Sequence, residues 1–224
     1  MRRISAVFVA FVMLAVCIAP VAAAGSQTWY LKDTGASGFS FPSEHAYDKL
    51  MDKTTPSEET VQSITLSKSQ RVWWYVNEAA GQDLSFPSGD WNVAFWVKAL
   101  NSEDNNKIVY VRLHNITLQG DNTQIWEKQP KTSSAGSIEM ISTLKENANT
   151  FVVNYGGRIA IEIYWVSTAT GDLVVYYNST IHPSSVTLPA GSPNYPTPEL
   201  STLVLFATGL TALLGSAALK KRRK

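Results

Sequence analysis

Trp91-Asn92-Val93-Ala94-Phe95-Trp96-Val97-Lys98-Ala99-Leu100 alternates with a period of two. Trp91, Val93, Phe95 and Val97 fall on one face, and Asn92, Ala94, Trp96 and Lys98 on the other. That is the pattern of a strand with one face in a core, because successive strand side chains point to opposite sides. Ile159 to Val166 repeats it, with Ile159, Ile161, Ile163 and Trp165 set against Ala160, Glu162 and Tyr164. Further strand-like runs cover Thr28–Leu31, Val61–Leu66, Arg71–Val76, Lys107–Leu118, Thr123–Glu127, Ser137–Ser142, Phe151–Asn154 and Leu173–Tyr177, all rich in β-branched or aromatic residues. Turn-forming stretches separate them: Phe86-Pro87-Ser88-Gly89-Asp90, Gln119-Gly120-Asp121-Asn122, Tyr155-Gly156-Gly157 and Thr170-Gly171-Asp172. Many short strands at this spacing predict a mainly β domain, a β-sandwich of jelly-roll type. The one helical turn expected is His45–Met51.

The two ends of the chain belong to a different class. Met1–Ala24 begins with Arg2 and Arg3, continues through an apolar run, is broken by Pro20 and ends in Ala22-Ala23-Ala24. This is the pattern of a cleavable signal peptide, with the cut expected after Ala24. At the other end, Leu200–Leu219 is uncharged and abuts Lys220-Lys221-Arg222-Arg223-Lys224. About 20 apolar residues rising 1.5 Å each match a hydrocarbon core of about 30 Å. The basic cluster holds the C-terminus on the cytoplasmic side and leaves the domain outside. The expected organisation is a signal peptide (1–24), a β-sandwich (25–188), a Pro-rich stalk (189–198) and a membrane segment with basic tail (199–224).

Pro198-Glu199-Leu200, followed by an apolar helix and a basic end, resembles a PEP-CTERM sorting signal or its archaeal PEF-CTERM relative. Leu200 stands where those signals carry a second proline or a phenylalanine. The resemblance implies recognition by a sorting transpeptidase, an exosortase or archaeosortase, with cleavage near Pro198-Glu199 and delivery to the cell surface. It covers the C-terminal segment alone and implies nothing about the domain.

Charge and cysteine content narrow the function. Setting aside two basic residues in the leader and five in the tail leaves 12 basic against 17 acidic residues in 25–198, a net charge of −5. An acidic domain argues against a nucleic-acid partner. The one cysteine, Cys17, lies in the leader, so the domain holds neither a disulfide nor a thiolate site.

Catalytic patterns are weak. His45, His114 and His182 are widely separated, Glu58-Glu59 are adjacent in a loop-like stretch, and Glu139 and Glu162 lie in strand-like runs. Nothing in this spacing assembles a metal site, a nucleophile or a carboxylate pair. The expectation is a non-enzyme. Asp83, Asp90, Asp104, Asp121 and Asp172 are loop aspartates that could ligate calcium, although turn formation accounts for them as well.

Aromatic residues give the best binding signal. Trp73-Trp74-Tyr75 are consecutive on one strand, so one tryptophan is expected in the core and the other on the surface. With Trp96 they form a candidate ligand platform, since an exposed aromatic ring suits a sugar or a protein partner. Asn115-Ile116-Thr117 and Asn178-Ser179-Thr180 fit the glycosylation pattern. The sequence thus points to a surface protein of structural, matrix or adhesive role, contacting polysaccharide or other envelope proteins. A carbohydrate-binding module is the alternative, and a secreted hydrolase comes third. Because the predicted membrane affinity is confined to the C-terminal segment, deleting Leu200–Lys224 is expected to release a folded domain into the medium. Fractionation of producing cells checks this, and tight membrane retention of the truncated chain contradicts it.

Overall fold

The computed structural model describes residues 26–37 and 47–195. The leader, the motif Pro198-Glu199-Leu200 and the membrane segment lie outside the described residues, as does His45. The described residues form thirteen strands: β1 Thr28–Gly35, β2 Tyr47–Asp52, β3 Gln62–Leu66, β4 Arg71–Val76, β5 Leu84–Phe86, β6 Gly89–Ala99, β7 Val109–Ile116, β8 Asn122–Lys128, β9 Glu139–Ala148, β10 Phe151–Val153, β11 Arg158–Trp165, β12 Leu173–Tyr177 and β13 Ser185–Thr187. Among the described residues the one helical element is a 3-10 turn, Ser102–Asp104.

The strands form a sandwich through one branched sheet. The order is β3-β12-β6-β13-β1-β2-β4-β11-β7-β8, with β9 on the free edge of β6 and a separate β5–β10 pair. β12 and β13 share one edge of β6, at Trp96–Ala99 and Asn92–Ala94 respectively. One layer is β9-β6-β12-β3. The other runs β1-β2-β4-β11-β7-β8, and β13 joins the two. Pairing is antiparallel except between β2 and β4. Those two run parallel because β3, between them in the chain, pairs with β12 in the other layer.

The alternation read from sequence fills the space between the layers. Trp91, Val93, Phe95 and Val97 from β6 meet Ile159, Ile161, Ile163 and Trp165 from β11 in one continuous core. Trp74 joins it and donates through Nε1 to the Lys32 carbonyl at 3.1 Å.

Three expectations change. Tyr47–Asp52 is a strand, although its sequence lacks β-branched residues; pairing with β1 on one side and β4 on the other imposes the extended form that local propensity does not. β9 continues six residues past Ser142, following β6 down to Gly89.

The stalk does not begin at Pro189. Tyr195 is wholly buried, 5.7 Å from Trp29 and 6.0 Å from Phe86 by ring centroids. Its hydroxyl donates to the Glu78 carbonyl at 3.0 Å. Gln27 Nε2 donates to the Pro193 carbonyl at 2.6 Å. An aromatic ring at the end of a proline-rich stretch draws the segment back onto the domain.

Tyr195→Ala is therefore expected to cost about 3–5 kcal/mol, the range for an aromatic side chain removed from a core. A chain ended after Leu188 should lose at least as much. Urea unfolding of each variant checks this, and a neutral truncation would restore the stalk boundary at 189.

Candidate functional site

Both layers have an outer face, and the chemistry-bearing residues divide between them. On the β4-β11-β7-β8 layer, Glu162 stands opposite Trp73 on one side and Arg112 on the other. Only 1% of its side chain is exposed. Oε1 receives Arg71 at 3.3 Å and Arg112 at 3.1 Å, and Oε2 meets His114 Nε2 at 2.9 Å. Arg112 also donates through Nε to Glu127 at 2.6 Å. The guanidinium groups lie over tyrosine rings, Arg71 5.0 Å from Tyr164 and Arg112 4.9 Å from Tyr110.

Burial alone would raise the Glu162 carboxyl, but the His114 hydrogen bond and the charges of Arg112, His114 and Arg71 outweigh it and hold it below the ordinary value. Burial likewise acts to depress the Arg112 guanidinium, and the pairs with Glu127 and Glu162 reverse that and raise it. A carboxylate held ionised and paired on both oxygens is poorly placed to donate or abstract a proton. Its role here is to bind three strands together.

This packing overturns the tryptophan platform on β4. Trp73 is 2% exposed, and Trp74 and Tyr75 are fully buried. Trp74 faces the main core. Trp73 faces outward, yet it stacks on Tyr75 with ring planes 16° apart and lies 4.3 Å from the His114 ring. Leu50 and Ala36 pack against the same cluster. Side chains of β2 and β7 cover the outward face of β4, and the main core covers the other.

Trp96 has a different setting. It is half-buried on the outer face of β6, opposite Tyr176 of β12 and Met140 of β9. The His182 ring meets its edge at 4.8 Å and 88°, and lies 5.6 Å from Tyr176. The Ser184 hydroxyl accepts from Trp96 N at 3.2 Å and donates to the Tyr176 carbonyl at 2.7 Å, tying the two backbones together where β12 hands over to β13. Met140 is 55% exposed, and Leu144 and Ile181 are also open to solvent. Tyr176 and Met140 were not singled out from sequence. The alternation Leu173, Val175, Tyr177 inward does put Tyr176 on the outer face, but only the register sets it beside Trp96.

The remaining candidates are dispersed. The Asn115 amide donates to the Val152 carbonyl at 2.8 Å, whereas Asn178 sits half-buried at the end of β12 with φ of 54°. His114 and His182 lie on the outer faces of different layers. Asp104 is buried, with its carboxylate receiving Thr170 N, Thr170 Oγ1 and Gly171 N at 2.7–2.8 Å. Asp83 accepts from Tyr155 N and Asp90 from Asn147 N. These aspartates organise loops. Among the described residues no three acidic, histidine or cysteine side chains gather closely enough to hold a metal ion.

A carboxyl held below its ordinary value stabilises the fold above that value, and the contribution is lost as pH falls through the folded one. Stability should therefore decline below the ordinary glutamate value of 4.5. Glu162→Gln should cost about 3 kcal/mol at pH 7, since it strands buried cations, and should flatten the acid limb. Urea titrations between pH 3 and 7 check both, and an unchanged acid limb would remove Glu162 as its source.

No protein-family model matches this chain, and no curated protein matches it. Solved structures share its fold. Two crystal structures of a CocE/NonD family hydrolase from Staphylococcus aureus align at TM-scores of 0.51 and 0.52, each at 10% identity, over 77% and 74% of this chain. The alignments cover 38% and 36% of the hydrolase, so this chain spans well under half of that protein's length. A CBM4 structure aligns at a TM-score of 0.35 with 9% identity, over 59% of this chain and 73% of that one. A family 16 carbohydrate-binding module aligns at 0.31 with 11% identity, over 53% and 74%. The chain is thus similar in fold to part of a hydrolase that is longer than itself.

Proposed function

We propose that this chain is an exported, membrane-tethered surface protein whose β-sandwich adheres to envelope polymers or neighbouring proteins, in a structural or matrix role and without catalysis. Export and tethering rest on the leader, the uncharged Leu200–Leu219 and the basic tail, with Pro198-Glu199-Leu200 read by a sorting transpeptidase. The observation that carries adhesion is the outer face of β6 and β12. There Trp96 and Tyr176 hold fixed, half-open rings beside solvent-exposed Met140. Rigid aromatic groups on a sheet present contact area at small cost in side-chain entropy. The absence of catalysis is supported by the state of Glu162, a buried carboxylate that is ionised and fully paired. A carbohydrate partner is the second reading, favoured by the same two rings.

Trp96→Ala with Tyr176→Ala, made in the full chain, should leave surface level unchanged and cost about 1–2 kcal/mol of stability, since both rings are only half-buried. Retention of cells on isolated envelope material should fall several-fold. Wild-type retention by this double variant would refute the assignment of adhesion to this face.

A further inference from the structure

Five connecting segments at one end of the sandwich build a trough that none of the functions above uses. One part, a cavity of about 470 Å³, is lined by Asp52, Lys53, Thr54, Asn77, Glu78 and Asn194. A second, of about 510 Å³, is lined by Asn77, Glu78, Leu118, Tyr155, Gly156 and Arg158. Asn77 and Glu78 line both, so the two lie side by side. A smaller cavity of about 150 Å³ lies beyond Leu118 and Tyr155, against Asn115, Thr117, Gln119 and Asn154. Each large part falls within the roughly 300–1,000 Å³ typical of small-ligand sites.

The floor is fixed. Ala80 N donates to the Gly157 carbonyl and Gly156 N to the Ala80 carbonyl, both at 2.8 Å, which clamps the two loops to each other. Asp83 accepts from Tyr155 N at 2.7 Å. Gly156 has φ of 78°, and a Cβ there would stand 3.3 Å from the Leu118 side chain. Arg158 donates to the Val76 carbonyl at 2.8 Å and also to that of Asn77. Below them all, the buried Tyr195 hydroxyl holds the Glu78 carbonyl.

On that floor stands Tyr155, 69% exposed, with its backbone held and its ring in solvent. An exposed aromatic ring over a preformed trough that carries a few amides and paired charges serves a ligand with an apolar face and a rim of hydroxyls. The charged groups in the trough are Asp52, Glu78, Lys53 and Arg158, two of each sign, so it has no net charge to attract an ion. Asn77 and Asn194 add amides that donate and accept together, the chemistry that matches adjacent hydroxyls. Lys53 Nζ donates to Asn194 Oδ1 at 2.6 Å and orients that amide.

We infer that this trough binds a neutral glycan chain, with one sugar ring stacked on Tyr155 and the next units running across Asn77 and Glu78 towards Asn194. The inference rests on the carbohydrate reading of the partner but not on the Trp96 face. It assigns the sandwich a second contact surface, at the loops that follow β2, β4 and β7.

The test is calorimetric titration of the full chain in detergent with six-unit oligomers of β-1,4-glucan, β-1,3-glucan, xylan and mannan, and with the charged hexamer of polygalacturonate. At least one neutral oligomer should bind. Tyr155→Ala should weaken it roughly tenfold or more, as expected for an aromatic anchor, while Tyr155→Phe keeps it within about threefold. Asn194→Ala should weaken it as well. Tyr155 and Asn194 are both exposed, so these variants should unfold at the wild-type temperature. Tyr155→Ala binding like wild type, failure of every neutral oligomer to bind, or tighter binding of polygalacturonate would each overturn the inference. Glycan binding lost in Trp96→Ala but kept in Tyr155→Ala would overturn the trough while supporting the Trp96 face. Loss of envelope retention with Trp96→Ala while trough binding persists would leave both standing.

Discussion

The architecture depends on one strand being long enough to have two partners along the same edge. At about 3.3 Å per residue, the eleven residues of β6 extend roughly 36 Å. β12 takes one half of that edge and β13 the other. Where they part, β12 continues its own layer into β3, while β13 leads through β1 into the opposite layer. The two layers are therefore covalently and hydrogen-bond continuous on one side, and the core between them is closed by β6 rather than by a cross-link. With Cys17 the one cysteine in the chain, cohesion of the domain comes from core packing, strand ladders and the paired charges around Glu162 rather than from a disulfide. The cluster of Trp29, Phe86, Trp91, Phe151 and Tyr195 shows how much of it is aromatic.

The contrast between the two outer faces follows from that branching. β4 and β11 lie in mid-sheet and carry large side chains on both sides, so their outward residues are sealed into a second, polar-and-aromatic layer around Glu162. β6 is flanked by β9, an edge strand, and its outward residues remain half-open. Two tryptophans that look alike in the sequence, Trp73 and Trp96, thus have opposite fates because of their neighbours.

What could be read from sequence was what a period of two reveals. The inward sets of β6 and β11 were legible, because Val, Ile and Trp at every second position leave one arrangement that buries them. β2 was not, because Tyr47-Asp48-Lys49-Leu50-Met51-Asp52 has no such period and is extended only through its partners. The packing of Trp73 was hidden for the same reason: alternation says which side of a strand a residue takes, never what covers that side. The candidate trough was less legible still. Asn77, Tyr155 and Asn194 are separated by scores of residues and converge only through the Ala80–Gly157 and Tyr195–Glu78 contacts, which link loops that carry no shared motif.

The pairing of β1 with β13 has a consequence for the order of events in the life of the chain. Thr28 lies against Thr187, so the first strand finds one of its two neighbours 159 residues later. A polypeptide made from its N-terminus can pair β1 with β2 early, but the other edge of β1 stays open until almost the whole domain has been made. Most other pairings are also distant, as with β3 on β12 and β4 on β11. Such a topology completes its sheet only when distant strands meet. Folding dominated by such distant pairings is slow, and strand edges left open in the interval favour self-association.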